Sequence, residues 1–166
     1  MASQASRSTR QGGPAARRSP AGDALSVLAV QVLRLSGILI DAGDRLAGPM
    51  GQTSARWRVL AAVEQEPAAV ATIARALGQA RQSVQRVADL LAESGLAVYR
   101  DNPDDRRAML LELTARGRST LRAIQTAQRG WADALGAEIG ERDLRAASAT
   151  LARVIDTLAR RRDDER

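Results

Sequence analysis

Residues 70–100 read VATIARALGQARQSVQRVADLLAESGLAVYR, and this stretch decides the fold. Apolar residues at helical spacing predict a short helix over 70–77 and a second helix over 81–94, joined by the turn 78–80. Gly95 is expected to end the second helix, because glycine adopts the left-handed conformation at a helix C-terminus without steric cost. Two short helices joined by a three-residue turn that contains glycine are typical of a helix-turn-helix.

The periodicity changes after Gly95, where two strand-like segments flank a charged, turn-forming segment. Residues 96–100 and 109–113 have the composition of strands. Between them, residues 101–107 read DNPDDRR, and Asn, Pro and Asp are typical turn residues. We therefore expect a β-hairpin, or wing, that projects from the helix-turn-helix.

Long apolar helices are expected on both sides of this core. Asp23 is the predicted N-cap of a helix to about residue 46, which is apolar nearly all round. Such a helix must be covered on more than one side, and in a chain of 166 residues a partner subunit is the economical cover. Thr53 or Ser54 is expected to cap the next helix. Thr114 is expected to cap a long helix that extends to about residue 136. A last helix is expected over 141–162.

These elements predict a mainly α protein with a small β-wing, a winged helix-turn-helix core flanked by long N- and C-terminal dimerisation helices. The expected divisions are a disordered basic tail over 1–22, an N-terminal dimerisation helix over 23–50, a winged helix-turn-helix domain over 51–113 and C-terminal dimerisation helices over 114–166.

The chain is basic, with 25 Lys+Arg against 19 Asp+Glu and a net charge of +6. The tail contributes Arg7, Arg10, Arg17 and Arg18 and no acid. A dispensable basic tail and a DNA-contacting arm both remain open for this segment. The total charge alone is weak support for nucleic-acid binding, because it is concentrated at the two ends of the chain.

The composition argues against an enzyme or a metalloprotein. The chain has no His and no Cys, which removes thiol nucleophiles, the commonest general base and the usual zinc ligands. We expect no catalytic residues, no metal and no cofactor. The sequence pattern indicates no apolar run of the length that a spanning helix needs and no signal-peptide core, which predicts a cytoplasmic protein without membrane contact.

The outward face of the second core helix carries the candidate DNA-reading residues. They are Arg81, Gln82, Ser83, Gln85 and Arg86. A recognition helix contacts base edges mainly with its N-terminal residues, and Arg pairs with guanine and Gln with adenine in the major groove. A solvated helix face has a similar composition, but acids are absent from residues 79–88. This absence favours DNA contact.

The wing tip supplies a second candidate contact. Arg106 or Arg107 at a hairpin tip can enter the minor groove, where the negative potential of a narrow groove attracts arginine. Asp105 is a candidate for stabilising the wing, and an ion pair between Asp105 and Arg107 that only stiffens the hairpin remains an alternative.

Residues 53–117 resemble the winged helix-turn-helix core of the MarR family, regulators named for multiple antibiotic resistance. The matching segments are TSARWRVL over 53–60, IARALG over 73–78, RQSVQRV over 81–87 and NPDDRRA over 102–108. The family's wing signature, Asp-x-Arg-x3-Leu-x-Leu-Thr-x2-Gly, is met by Asp105, Arg107, Leu111, Leu113, Thr114 and Gly117.

The resemblance implies a homodimer that binds a double-stranded, pseudo-palindromic DNA operator and acts as a transcriptional regulator, more often a repressor than an activator. It also implies release by a small organic ligand, often aromatic or anionic, in a cleft beside the dimerisation helices. Candidate ligand residues are Arg34, Trp57, Arg58 and Trp131. The two tryptophans as core fillers and Arg34 as a surface residue are the alternative.

Two other functions use the same fold. A winged helix can serve as a module for protein–protein contacts, or can coat DNA without sequence preference. An interaction module would usually carry an apolar or acidic recognition face, whereas this face is rich in Arg and Gln.

Overall fold

Helices account for most of the chain that the computed structural model describes, which comprises residues 18–105 and 107–165. The helices are α1 (Pro20–Ala47), α2 (Ser54–Ala62), α3 (Val70–Leu77), α4 (Arg81–Glu93), α5 (Ala115–Ile139) and α6 (Glu141–Asp164), with a 3-10 turn at Gly48–Met50. The strands are β1 (Ala68–Ala69), β2 (Ala97–Arg100) and β3 (Leu110–Leu113). The predicted class, mainly α with a small wing, is confirmed. The chain divides into two compact units after Ile40.

Helix α1 begins three residues earlier than the sequence predicts. Its first residue is Pro20, whose fixed backbone angle and missing N–H suit the first helical position. The hydroxyl of Ser19 accepts a hydrogen bond from the backbone N–H of Gly22 at 3.1 Å. The prediction of Asp23 as the N-cap is wrong, because Asp23 lies inside the first turn. Residues 20–22 of the predicted tail are therefore helical.

The apolar side chains of α1 in the first unit are exposed in the single chain. Val30 is 67% exposed and Leu33 is 74% exposed. By length and composition, the helix also contains an 18-residue window that could cross a membrane. The prediction that no apolar run reaches this length is therefore wrong. One such helix near an N-terminus is weak support for a membrane span, since soluble helices pass the same test.

In the second unit, the last turns of α1 are joined to the start of α2. Thr53 is the N-cap of α2, and its hydroxyl accepts a hydrogen bond from the backbone N–H of Arg56 at 3.3 Å. The backbone N–H of Ser54 also lies in the first turn and has no partner within the helix. It donates a hydrogen bond to a carboxylate oxygen of Asp44 at 2.6 Å. A Cβ added at Gly43 would lie 2.8 Å from the Cβ of Ser54, so only glycine permits this close approach.

One apolar core holds α2, α3, α4, the strands and α5 together. Its members are aliphatic, as a chain without Phe requires. The fully buried large side chains are Val59, Leu60, Ile73, Val84, Leu91, Leu96, Leu111, Leu113, Leu121 and Ile124. Because α4 contributes its Val84–Ala88–Leu91 stripe to this core, its opposite face is left outward.

The wing belongs to a three-stranded antiparallel sheet with the order β1-β3-β2. Tyr99 of β2 lies opposite Leu111 of β3, and Ala68 of β1 lies opposite the same leucine. The two strands of the wing match the predicted hairpin. The sequence pattern missed β1, because two alanines are too few to show strand periodicity.

The start of α5 is bonded to the segment that follows α4. The Thr114 hydroxyl caps α5 by accepting from the N–H of Gly117 at 3.0 Å, and it donates to the carbonyl oxygen of Gly95 at 2.8 Å. The backbone N–H of Thr114 donates to the carbonyl oxygen of Leu96 at 3.1 Å. A Cβ at Gly117 would overlap that same Leu96 carbonyl oxygen. Glycine at 117 therefore allows α5 to pack directly against the backbone that leads into β2.

We expect Gly117→Ala to destabilise the protein by roughly 1–3 kcal/mol, since the added methyl group forces the helix and strand apart. Gly130→Ala is the matched control in the same helix, because a Cβ there meets nothing within 4 Å. The control should stabilise the protein by roughly 0.5–1 kcal/mol through the helical preference of alanine. Urea unfolding followed by circular dichroism measures both changes. Equal free energies of unfolding for the two variants would contradict the close approach.

Candidate nucleic-acid interface

The position of α4 is set by the turn that precedes it. Gly78 ends α3 in the left-handed conformation, with φ of 62°. The N–H groups of Gly78 and Gln79 donate to the carbonyl oxygens of Arg75 and Ala74 at 3.2 and 2.9 Å, which satisfies the end of α3. The chain then enters α4 at Arg81, so the first turn of α4 follows this capped turn directly.

The outer face of α4 carries four of the five predicted DNA-reading residues. Arg81, Gln82, Ser83 and Arg86 are exposed, and they occupy the first two turns of the helix. Asp89 is the first acidic residue of α4. The exposed start of the helix is therefore cationic and rich in hydrogen-bond donors.

Gln85 differs from those four residues, because its side chain is half-buried and hydrogen-bonded within the protein. Its Nε2 donates to Oδ1 of Asp89 at 2.9 Å and to the hydroxyl of Tyr99 at 2.8 Å. The Tyr99 hydroxyl in turn donates to the same Asp89 oxygen at 2.7 Å. We call these three side chains the α4–β2 triad, since they join the recognition helix to the first strand of the wing.

The triad shifts the pKa values of its two titratable members in opposite directions. Burial, followed by the hydrogen bond to Asp89, raises the pKa of Tyr99 to about 12. The hydrogen bond from Tyr99, followed by that from Gln85, lowers the pKa of Asp89 below its ordinary value of 3.8. At neutral pH Asp89 is thus a carboxylate and Tyr99 a protonated hydrogen-bond donor.

The sequence pattern did not assign Asp89 or Tyr99 to the site. A signal was present, because a Gln and an Asp four residues apart on a helix can form a hydrogen bond. Tyr99 is also the single tyrosine of the chain and lies in a predicted strand. What the sequence could not give is the register that places this strand against α4.

The wing tip is built from two side-chain-to-backbone turns. Oδ1 of Asn102 accepts from the N–H of Asp104 at 3.0 Å, and Oδ1 of Asp105 accepts from the N–H of Arg107 at 2.9 Å. Asp105 therefore contacts the backbone of Arg107, whose side chain is exposed. The other predicted minor-groove residue, Arg106, lies outside the described residues.

Recognition helix and wing meet at one groove of about 250 Å³. Its lining includes Arg81 and Gln85 from α4, Tyr99 from β2 and Arg107 from the wing tip. The floor is made of small and apolar residues, namely Ala69, Val70, Ala71, Ala108 and Met109. Two arginines from separate parts of the sequence thus line the same groove, which suits an anionic partner.

The predicted ligand residues have separate surroundings in the structure. Trp57 packs against the apolar core, Trp131 is half-buried on α5, and Arg34 is exposed on α1. With the Gln79 amide oriented so that Oε1 faces Arg58, both Nη atoms of Arg58 donate to it at 3.0 and 3.1 Å. The Nε of Arg58 is buried and has no hydrogen-bond partner among the described residues. Arg58 thus links α2 to the turn before α4.

The described residues contain no group of three or more Asp, Glu, His or Cys side chains that could hold a metal ion.

Comparison with known proteins relates this chain to the MarR family. A family model described as MarR family matches residues 51–108. An uncharacterised protein of Mycobacterium tuberculosis is 44% identical over 102 residues, which are 61% of this chain and 71% of that protein.

Solved structures have the same fold. A crystal structure of a MarR family transcription regulator has a TM-score of 0.73 and 22% identity, and the match covers 83% of this chain and 94% of that one. The transcriptional repressor CouR, bound to a 23-mer DNA duplex, has a TM-score of 0.68 and 26% identity, and the match covers 84% of this chain and 99% of CouR.

We expect Asp89 to contribute to stability in a pH-dependent way. Its pKa is lower in the folded chain than its ordinary value of 3.8, so this contribution is complete above about pH 4 and is lost as the pH falls through the folded pKa. The difference in unfolding free energy between the wild type and Asp89→Asn should therefore be larger at pH 6 than at pH 2.5. Urea unfolding at a series of pH values measures it, and a difference that does not change with pH would contradict the hydrogen bonds to Asp89.

Proposed function

Because this chain belongs to the MarR family of DNA-binding transcription regulators, we propose that it is a repressor that binds a pseudo-palindromic operator as a homodimer and is released by a small organic ligand. Arg81, Gln82, Ser83 and Arg86 make the major-groove contacts in this proposal. Arg106 or Arg107 enters the adjacent minor groove. The half-sites of a dimer then lie about one helical turn, roughly 34–36 Å, apart.

The groove shared by α4 and the wing is the observation that carries the DNA-binding proposal. Arg81 and Arg107 both line it, although they are far apart in the sequence. Arginines in this arrangement can contact phosphates or base edges on both sides of a DNA strand. CouR, a repressor solved with a DNA duplex, has the same fold and supports DNA binding by this chain.

The side chains on α4 favour this reading over a module for protein–protein contacts. The exposed residues of its first two turns are polar or cationic, whereas protein interfaces are depleted of charge at their centre. Non-specific coating of DNA requires only phosphate contacts. Exposed Gln82 and Ser83 between two arginines provide hydrogen-bonding groups of the kind that distinguish bases, which favours specific binding.

The apolar side chains left exposed in the single chain support a homodimer. In the first unit, α1 exposes nine large apolar side chains, which are Leu25, Val27, Val30, Val32, Leu33, Leu35, Ile38, Leu39 and Ile40. In the second unit, α5 and α6 expose Leu135, Ile139, Leu144, Ile155 and Leu158. Water-exposed apolar surface of this extent marks an interaction site, and a second copy of the chain would cover it. The terminal helices are the proposed dimerisation segments.

For the proposed ligand, the guanidinium of Arg58 is the best supported of the candidates. It is half-buried and keeps one buried N–H donor without a partner among the described residues. A buried donor without a partner calls for an explanation, which an anionic ligand would supply. Trp131, half-buried on α5, and exposed Arg34 remain candidates for the aromatic and anionic parts of a ligand. Trp57 packs against the core, which favours its role as a core filler.

We expect Arg86→Ala to weaken binding to the DNA sequence that the wild type prefers by roughly 1–3 kcal/mol and to relax the preference at one base pair of each half-site. Arg75→Ala is the matched control, because it removes the same charge from an exposed position on α3, which carries none of the predicted base contacts. Fluorescence anisotropy with labelled duplexes measures both. The placement of α4 in the major groove would be refuted if the two variants lost affinity equally and kept the same base preferences.

We expect Leu33→Asp to weaken or abolish the dimer, because it places a charge within the exposed apolar surface of α1. Gln31→Asp is the control, since it adds the same charge to the same helix at a position that is already polar and exposed. Sedimentation equilibrium measures the dissociation constants. A Leu33→Asp protein that remains as dimeric as the wild type would show that α1 lies outside the interface.

A further inference from the structure

We propose that Gln85 does not read a base but acts with Asp89 and Tyr99 as a positioning unit, which fixes the wing relative to the recognition helix. This inference rests on the proposed DNA-binding function and refines it. It separates the polar residues of α4 that contact DNA from Gln85, which sets the spacing between α4 and the wing.

The geometry of the α4–β2 triad turns the amide group of Gln85 toward the protein. Nε2 of Gln85, Oδ1 of Asp89 and the Tyr99 hydroxyl oxygen form a closed triangle with sides of 2.9, 2.8 and 2.7 Å. Because the sides are nearly equal, both acceptors lie on the same side of the amide nitrogen. The Asp89 carboxylate is charged, which makes its two hydrogen bonds stronger than those between neutral groups.

A glutamine that reads adenine needs both ends of its amide group. The oxygen accepts from the N6 amino group while the nitrogen donates to N7. In Gln85 the nitrogen donates to two protein groups and the side chain is half-buried, so the protein orients the amide and it is not free to align with a base edge. Gln82 lies one turn earlier on the helix, and its exposed side chain is open to such a contact.

Tyr99 connects the triad to the wing. It lies in β2 opposite Leu111, which is fully buried, so the phenol ring is on the inner face of the hairpin and packs against the core. The same hairpin carries Arg107 at its tip. The triad therefore joins the helix that faces the major groove to the strand that leads to the minor-groove contact. Without it, the hydrogen bonds at the C-terminal end of α4 and apolar packing would set the angle between them, and packing is less directional than hydrogen bonding.

Three variants test this assignment. Gln85→Ala and Tyr99→Phe each remove a different member of the triad, and the double variant removes both. Gln82→Ala is the matched control, because it truncates the same residue type on the exposed face of the same helix. Affinity is measured for the preferred duplex and for every single-base-pair change of it.

We expect Gln85→Ala and Tyr99→Phe each to lower affinity about threefold to tenfold, the range that corresponds to one net intramolecular hydrogen bond. The loss should be similar on every duplex, since no base contact is removed, and the double variant should lose little more than either single variant. Gln82→Ala should instead relax the preference at one base pair. The proposal is overturned if Gln85→Ala relaxes the preference at one base pair while Tyr99→Phe binds as the wild type does.

Hydrogen exchange in the free protein separates this inference from the proposed function. Backbone N–H groups of β2 and β3 should exchange faster in Gln85→Ala and Tyr99→Phe than in the wild type, and at the wild-type rate in Gln82→Ala. Unchanged exchange in both triad variants would overturn the positioning role whatever the DNA measurements give. A wild type without sequence preference would overturn the proposed function, while the exchange rates would still decide on the triad.

Discussion

The close approach of Gly117 to the backbone of Leu96 is the constraint on which the rest of the second unit depends. At this point the end of α4, the start of the wing and the first turn of α5 come together. Thr114 caps α5 and at the same time donates to the carbonyl oxygen of Gly95. A side chain at 117 would separate these elements, because it would overlap the carbonyl oxygen of Leu96. The recognition helix, the wing and the long helix α5 are thus joined through a few hydrogen bonds made by the side chain and backbone of Thr114.

This junction matters for function because it lies between the proposed dimerisation helices and the proposed DNA-contacting surface. Arg116 of α5 also donates to the carbonyl oxygen of Ser94, the residue that ends α4, at 3.2 Å. A displacement of α5 would therefore act on the C-terminal end of α4 through hydrogen bonds. At the N-terminal half of α4, Gln85 joins the helix to β2. The two attachments hold the helix at separate points along its length.

The sequence predicted the elements whose local signals are strong. Helix α3 matches its predicted range, and the predicted Thr114 cap is confirmed because hydroxyl side chains before a helix bind its free N–H groups. For α2 the sequence left Thr53 and Ser54 open, and the structure shows that Thr53 is the cap. The start of α1 was misplaced, since Asp23 is as good a cap by composition as Ser19, and only the structure shows which of them the backbone uses. Strand β1 was missed because its pairing with β3 depends on partners 41 and 43 residues away along the chain.

The site was predicted by residue type but not by side-chain direction. The five polar residues of α4 look equivalent in the sequence, and helical periodicity cannot tell that Gln85 is drawn toward Asp89 and Tyr99. That distinction depends on the tertiary contact between α4 and β2.

The central claim is that the four exposed residues and the wing read a DNA sequence. Selection of bound duplexes from random DNA, followed by affinity measurement against salt concentration, tests it most directly. An inverted repeat preferred over random DNA by a factor above about 10³ is the predicted result. Binding without sequence preference that disappears at moderate salt would contradict the account.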